Sequence, residues 1–335
     1  RLCRDWSSDV CSSDLKITIM ARNSKHIFIV IACFIAVTSF YSCNNKEVSR
    51  TTGWAYNDPD MGGFEVRPFE EQEVGPGLVF IEGGTFVMGR TEQDVMFDWN
   101  NIPRRVTVSS FYMDETEVRN VDYVEYLYWL GRVFGDNFPH VIREALPDTL
   151  VWRERLAFNE PFVYNYLRHP AYRDYPVVGV SWVQATEYAT WRTDRVNEMI
   201  LIERGILAWD GDQINERHFN TAAYLAGQYE GIVEDSMEDL NPRGTGERRV
   251  RWEDGILLPA YRLPTEAEWE FAALGLIGNT VYERIVERRL YPWNGHVIRS
   301  SDSRSMGMIM ANMQRGRGDM MGVAGNLNEI GRAHV

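Results

Sequence analysis

The sequence predicts an irregular α+β domain of short strands, short helices and much loop, on three observations. Apolar residues alternate in "GLVFIEGGTFVMG" and again in "RRVTV", the period-two pattern of half-buried strands. Ser181 with Gln184, and Thr265 with Glu268, stand three apart ahead of apolar runs, the capping-box signature of a helix start. Glycine, proline and aspartate punctuate the stretches between them, so no element is expected to be long. The 335 residues suffice for one large or two ordinary domains, and 44% apolar with 13% aromatic residues excludes a disordered chain.

From the amino end, residues 1–19 fit neither a domain nor a signal and resemble adapter-derived translation, so translation is expected to begin at Met20. Residues 20–42 then read as an export signal: Arg22 and Lys25 give a positive start, Ile27 to Phe40 an apolar run of fourteen residues, and small Ser42 precedes Cys43. A cysteine there resembles the acylation site of a bacterial lipoprotein signal, although Phe40 and Tyr41 are bulky for one; the competing reading is an ordinary cleaved leader. Residues 43–76, rich in Gly, Pro and Asp, are expected as an extended tether, and residues 77–330 as the domain.

Within the domain, Gly83-Gly84 reads as the tight turn of a β-hairpin, followed by a strand through Val106 and Val108. Asn120 is placed to cap a helix turning Val121, Val124, Leu127 and Tyr128 inward. Val177 to Val180 reads as a short buried strand, and the box at Ser181 starts a helix through Ala185, Tyr188 and Ala189. In "YRLPTEAEWEFAAL", Pro264 blocks upstream extension and Ala267, Phe271 and Leu274 form one stripe. Glu266 and Glu270 lie four apart, where two carboxylates either share an acid/base or metal site or simply suit the helix start. The capping logic favours architecture.

A net charge of −13 and a pI near 5.0 argue against a nucleic-acid surface, which needs clustered Lys and Arg. The cysteines are Cys3, Cys11, Cys33 and Cys43, so residues 44–335 offer no thiol nucleophile and no thiolate metal site. Histidines at 26, 140, 169, 218, 296 and 334 show no metal-ligand spacing, and no G-x-S-x-G elbow marks a hydrolase. No catalytic residue is assigned.

Together, "GLVFIEGGTFVMG", "RRVTVSSFYMDETEV", "YPVVGVSW" and "RLPTEAEWEFAA" resemble the ordered signatures of the formylglycine-generating-enzyme family, the sulfatase-modifying factors, over roughly Gly77 to Asp319. The resemblance implies a C-type-lectin-like fold in which "RLPTEAEWE" is scaffold, carrying two insertions near 132–173 and 192–261. The first holds Trp152, Phe158, Phe162, Tyr164 and Tyr166, either partner anchors or packing onto the core. "ANMQRGRGDMM" resembles the family's calcium site, which implies ligands at Asn312, Met313, Asp319 and Met321, the methionines through their carbonyls. Its loop is short, and Asp319 serves equally to cap a Gly-rich turn. "GNLNE", Gly325 to Glu329, imitates a later family motif without its tryptophans, and 331–335 again resemble adapter. The fold is therefore expected to be truncated, with the family's catalytic cysteine pair, and hence any copper site, beyond this chain.

Longer blocks, among them "EQDVMFDWNNIPRRVTVSSFYMDETEV" and "FNTAAYLAGQYEG", are similar to gliding-motility lipoproteins within that family, from Bacteroidota. That similarity implies a non-catalytic, lipid-anchored outer-membrane protein of the gliding and type 9 secretion machinery, partnered by other such lipoproteins and by outer-membrane components, with no nucleic acid. Two alternatives stand beside it: a copper-dependent oxidase making formylglycine from protein cysteine, and a calcium-stabilised binding module.

Overall fold

A computed structural model describes residues 47–89, 101–153, 158–274, 291, 293, 297–308 and 310. The first β-element is not the hairpin that the glycine pair suggests. Strands β1 (Leu78–Ile81) and β2 (Gly84–Met88) do not pair with each other; β1 pairs antiparallel with β4 (Phe111–Asp114), and β2 with β3 (Arg104–Val108). Both ladders share one register, Ile81 opposite Phe111 and Gly84 opposite Val108, so residues 78–88 and 104–114 form a single long ribbon broken only at Glu82-Gly83 and Ser109-Ser110. Gly83 marks a kink rather than a turn. A β-carbon there would lie 2.4 Å from the Ser110 nitrogen and 2.5 Å from the Val108 oxygen, so only glycine admits the opposing backbone.

Helix α1 (Asn120–Phe134) departs from its expected cap and face. Arg119, not Asn120, is the flanking residue, and Asp122 accepts its backbone N–H at 3.2 Å. Asn120 is buried, and its amide donates to the carbonyls of Tyr166 and Tyr172 at 3.1 and 2.9 Å. The first helical N–H groups are satisfied by carbonyls of a distant loop, Asn120 by Tyr175 and Val121 by Arg173. The inward face is Tyr123, Tyr126, Leu127, Leu130 and Val133; Val121 and Val124 are half-buried, while Tyr128 is 72% exposed. The heavier aromatic stripe determines which side faces in, because it removes more apolar area from water.

The short helices α2 (Pro139–Ala145) and α3 (Glu160–Asn165) follow. Val177 to Val180 is not a strand; it is half-buried loop, tied by one bridge at Arg119–Pro176 and by Val177 N–H to the Val118 carbonyl. Helix α4 (Trp182–Glu203) begins at the expected box, Ser181 N–H to Gln184 at 2.8 Å and Gln184 N–H to Ser181 Oγ at 3.3 Å. The Gln184 side chain also donates to the carbonyls of Glu144 and Leu146, closing the end of α2. Helix α5 (Thr221–Leu225), strands β5 (Met237–Glu238) and β6 (Glu247–Arg248), and helix α6 (Glu266–Leu274) complete the described elements.

Two compact units divide these residues. In the smaller, 47–66 with Leu240–Pro242, a segment expected to be extended folds into a clasp. Val48 bridges Ala55, Asp58 caps the turn Pro59–Met61, and the Asn57 side chain holds both backbone groups of Val66. The larger unit, from Arg67 onward, has three apolar clusters. Phe86, Met88 and Val108 meet Phe271 and Leu274 of α6, with Phe86 edge-on to Phe271 at 5.3 Å. Tyr123, Tyr126 and Leu130 of α1 meet Tyr188 of α4. Leu201, Leu207, Phe219, Tyr224, Tyr229, Val250 and Leu257 form the third cluster, wholly within the expected second insertion.

Candidate functional site

The glutamate-rich stretch resolves into a cap. Glu268 Oε2 accepts the Thr265 N–H at 2.8 Å, Thr265 Oγ1 accepts the Glu268 N–H at 3.3 Å, and Arg262 grips the same carboxylate at 2.7 and 2.8 Å. Those Arg262 hydrogen bonds, ahead of the backbone bond from Thr265, pull the Glu268 carboxyl down to about 2. A carboxylate held ionised and fully occupied is not poised to move protons. Glu266 is exposed, while Glu270 receives the Gly89 N–H at 3.4 Å. Among the described residues no group of three or more His, Cys, Asp or Glu is placed to hold a metal.

The polar residues at the middle of α4 form a second arrangement that spacing alone did not single out. Asn197 is fully buried and pairs with both backbone groups of Leu258, at 2.8 and 3.2 Å. Asp194 receives the Thr221 N–H at 2.8 Å and the Asn220 amide at 3.2 Å; Thr193 receives the Tyr261 N–H at 2.9 Å. Arg195 reaches Glu198 and the Phe219 carbonyl, both at 2.5 Å, and its burial lowers the guanidinium pKa. One turn earlier Arg192 grips Asp114 at 2.6 and 2.7 Å and lies 4.3 Å over the Tyr261 ring. The partners are backbone groups, the Asn220 amide, the Tyr261 ring and the opposite charges of Glu198 and Asp114, so this row clamps residues 219–261 to the helix and Arg192 ties it to β4. The signal in the sequence was the break in α4's apolar period at Thr193, Asp194 and Asn197.

The aromatic residues of 152–166, in the first expected insertion, divide by environment. Trp152 stands 5.2 Å from Phe162 and 4.5 Å from Tyr166, and Tyr166 stacks on Tyr172 at 5.5 Å, with Phe162 and Tyr166 buried. Trp152, Phe162 and Tyr166 thus pack on one another and on Tyr172. Phe158 and Tyr164 instead face solvent, as do Leu150 and Val151 nearby in sequence. Histidines within the described residues have local roles: His140 lies edge-on to Phe138, His169 Nδ1 receives the Ala171 N–H at 3.1 Å, and His218 lies edge-on to Trp129 and Phe134.

The lipidation candidate Cys43, the calcium candidates Asn312, Met313, Asp319 and Met321, the Gly325 to Glu329 motif and histidines 26, 296 and 334 lie outside the described residues. Among the described residues no helix is long and apolar enough to cross a membrane.

Comparison with known proteins adds the family. The sulfatase-modifying factor enzyme 1-like domain matches residues 64–320. The chain is 30% identical over 210 residues to the formylglycine-generating enzyme of Mus musculus, covering 51% of this chain and 55% of that protein. It is 29% identical over 142 residues to the formylglycine-generating enzyme of Bos taurus, 36% of each. A match at 29% over 130 residues to the serine/threonine-protein kinase Pkn1 of Chlamydia trachomatis covers 36% of this chain and 19% of that one. The chain thus spans about half, or less, of the length of these curated relatives.

Proposed function

The chain belongs to the sulfatase-modifying factor enzyme 1-like family, and from that premise we propose that it uses the family scaffold without the family's chemistry. It acts as a lipid-anchored structural component of the outer membrane, required for gliding motility and type 9 protein secretion. The observation that carries this reading is the set of long blocks, such as "LPDTLVWRERLAFNEPFVYNYLRHPAYRDYPVVGVSW", that resemble the gliding lipoprotein GldJ. Its sister GldK shares the fold and is the nearest competitor.

One observation supports a scaffold role. The second insertion has its own apolar cluster and buried clamp, the build of an added module rather than a loose loop. Its partners are other gliding and secretion lipoproteins and outer-membrane components, with the membrane engaged through lipid on Cys43. A clean deletion strain is expected to lose spreading and secretion together; normal colonies and normal secretion would end this reading.

The enzymatic alternative rests on the 30% identity to the mouse formylglycine-generating enzyme. It is tested by incubating the protein with copper and a cysteine peptide and seeking aldehyde by mass spectrometry. Calcium, held by Asn312, Asp319 and the carbonyls of Met313 and Met321, is proposed as a structural ion that would also suit a binding module. Calorimetry with Asp319→Ala as control tests it, and equal heats from both proteins would remove the site.

A further inference from the structure

The clasp of residues 47–66 has one open side, and that side is aromatic. The Val48–Ala55 bridge puts buried Ala55 on one side of its chain and the neighbours Trp54 and Tyr56 on the other. The returning segment lies along those two: a β-carbon at Gly62 would stand 3.3 Å from Trp54 Cζ3, and the Phe64 ring stands 5.7 Å from that of Tyr56. Trp54 and Phe64 are 60% and 66% exposed, and Met61, next to Gly62, is exposed as well. These contacts make one surface, and large apolar side chains grouped in water mark an interaction site.

The surface is ordered before anything covers it. Ser49 N–H donates to the Trp54 carbonyl at 2.8 Å, Tyr56 N–H to the Glu47 carbonyl at 2.8 Å and Asn57 N–H to the Phe64 carbonyl at 2.9 Å. Gly62 sits at a φ of +97°, and the room its missing side chain leaves is taken by the Trp54 ring. A contact already ordered loses little conformational entropy on binding.

Chain length decides what can lie against it. Glu47, hydrogen-bonded into the clasp through its carbonyl, is the fourth residue after Cys43, and an extended chain of that length reaches at most about 14 Å. With lipid on Cys43 the clasp is confined to the level of the headgroups, a layer about 5–8 Å deep on each side of the bilayer. Tryptophan and tyrosine are the side chains that favour this layer, an apolar ring carrying a polar edge. Residues 44–66 contain Lys46 and Arg50 against Glu47, Asp58, Asp60 and Glu65, so the attraction is apolar and does not call for anionic lipid.

We propose that the clasp is the foot of the anchored protein: Trp54, Met61 and Phe64 enter the headgroup layer of the phospholipid bilayer beside the acyl chains on Cys43. This rests on the reading of Cys43 as lipidated. Three side chains bury too little apolar area to hold a protein on a membrane by themselves, so their contact fixes which side of the clasp meets the surface while the lipid supplies the hold.

The experiment uses the chain expressed from Met20 in a bacterium, with lipid on Cys43 established by mass spectrometry, and reconstituted in neutral phosphatidylcholine vesicles. Residues 44–335 contain no cysteine, so Phe64→Cys and Tyr128→Cys, the latter at an exposed position on α1, each give a single free thiol for a polarity-sensitive dye. The dye at 64 is expected to shift to the blue and to be quenched several-fold more strongly by headgroup spin-labelled lipid than the dye at 128. Adding Trp54→Ser to Phe64→Cys should lower that quenching and Trp54→Phe should preserve most of it, with circular dichroism confirming the fold of each. In acylated protein, equal quenching at 64 and 128 overturns the proposal and leaves the anchor standing. A blue shift at 64 without quenching by the lipid label means that protein covers the patch, and overturns it too. Absence of lipid on Cys43 removes the premise, and the foot with it.

Discussion

Glu268 caps α6 and pairs with Arg262 only while it is ionised. Its folded pKa of about 2 lies below the ordinary 4.5, so its contribution is complete above the ordinary value and is lost as pH falls from there toward 2. Glu268→Ala should cost about 1 kcal/mol at neutral pH, the usual value of a cap. Urea midpoints for the two proteins should converge as the pH is lowered through that window; a constant difference would refute the assignment. Asn197 makes a sharper case. Asn197→Ala leaves both backbone groups of Leu258 without their side-chain partner in a buried setting, at a cost of about 2–4 kcal/mol in urea unfolding. A cost near zero would show that the clamp does not hold the second insertion. The capping glutamate was legible from three-residue spacing; the asparagine was not, because its partner lies 61 residues away.

At the scale of elements, the ribbon 78–88 with 104–114 explains why one glycine is indispensable and another is not. Gly83→Ala forces a methyl into the Ser109-Ser110 backbone, and overpacking of this kind costs about 1–3 kcal/mol. Gly131 sits inside α1, and a β-carbon added there would meet nothing within 4 Å, so Gly131→Ala should stabilise by about 1 kcal/mol through helix propensity. Thermal melts of the two variants should move in opposite directions, and a shared sign would contradict the kink. Strand positions and the Ser181 and Thr265 helix starts were legible because alternation and capping are local. The pairing was not: Gly-Gly between two apolar runs suits a turn or a kink equally, and the choice depends on partner strands that begin only at Arg104.

For the whole molecule, anchoring and architecture separate. If Cys43 carries lipid, Cys43→Ser should move the protein from the membrane to the soluble fraction while leaving its melting temperature unchanged, since an acyl chain contributes to partition and not to the core. Retention at the membrane by the variant would remove Cys43 as the anchor. By itself the sequence determined the α+β class, the family, the two capped helices and the scaffold role of "RLPTEAEWE", because each rests on spacings of two to four residues and on signatures contiguous in the chain. Only the tertiary structure decided the strand pairing, the inward face of α1 and its cap by the Arg173 and Tyr175 carbonyls, and the division of the aromatic residues between core and surface. Those outcomes depend on which distant backbone groups need partners and on which face buries most apolar area, and both are fixed only when segments far apart in the chain are packed together.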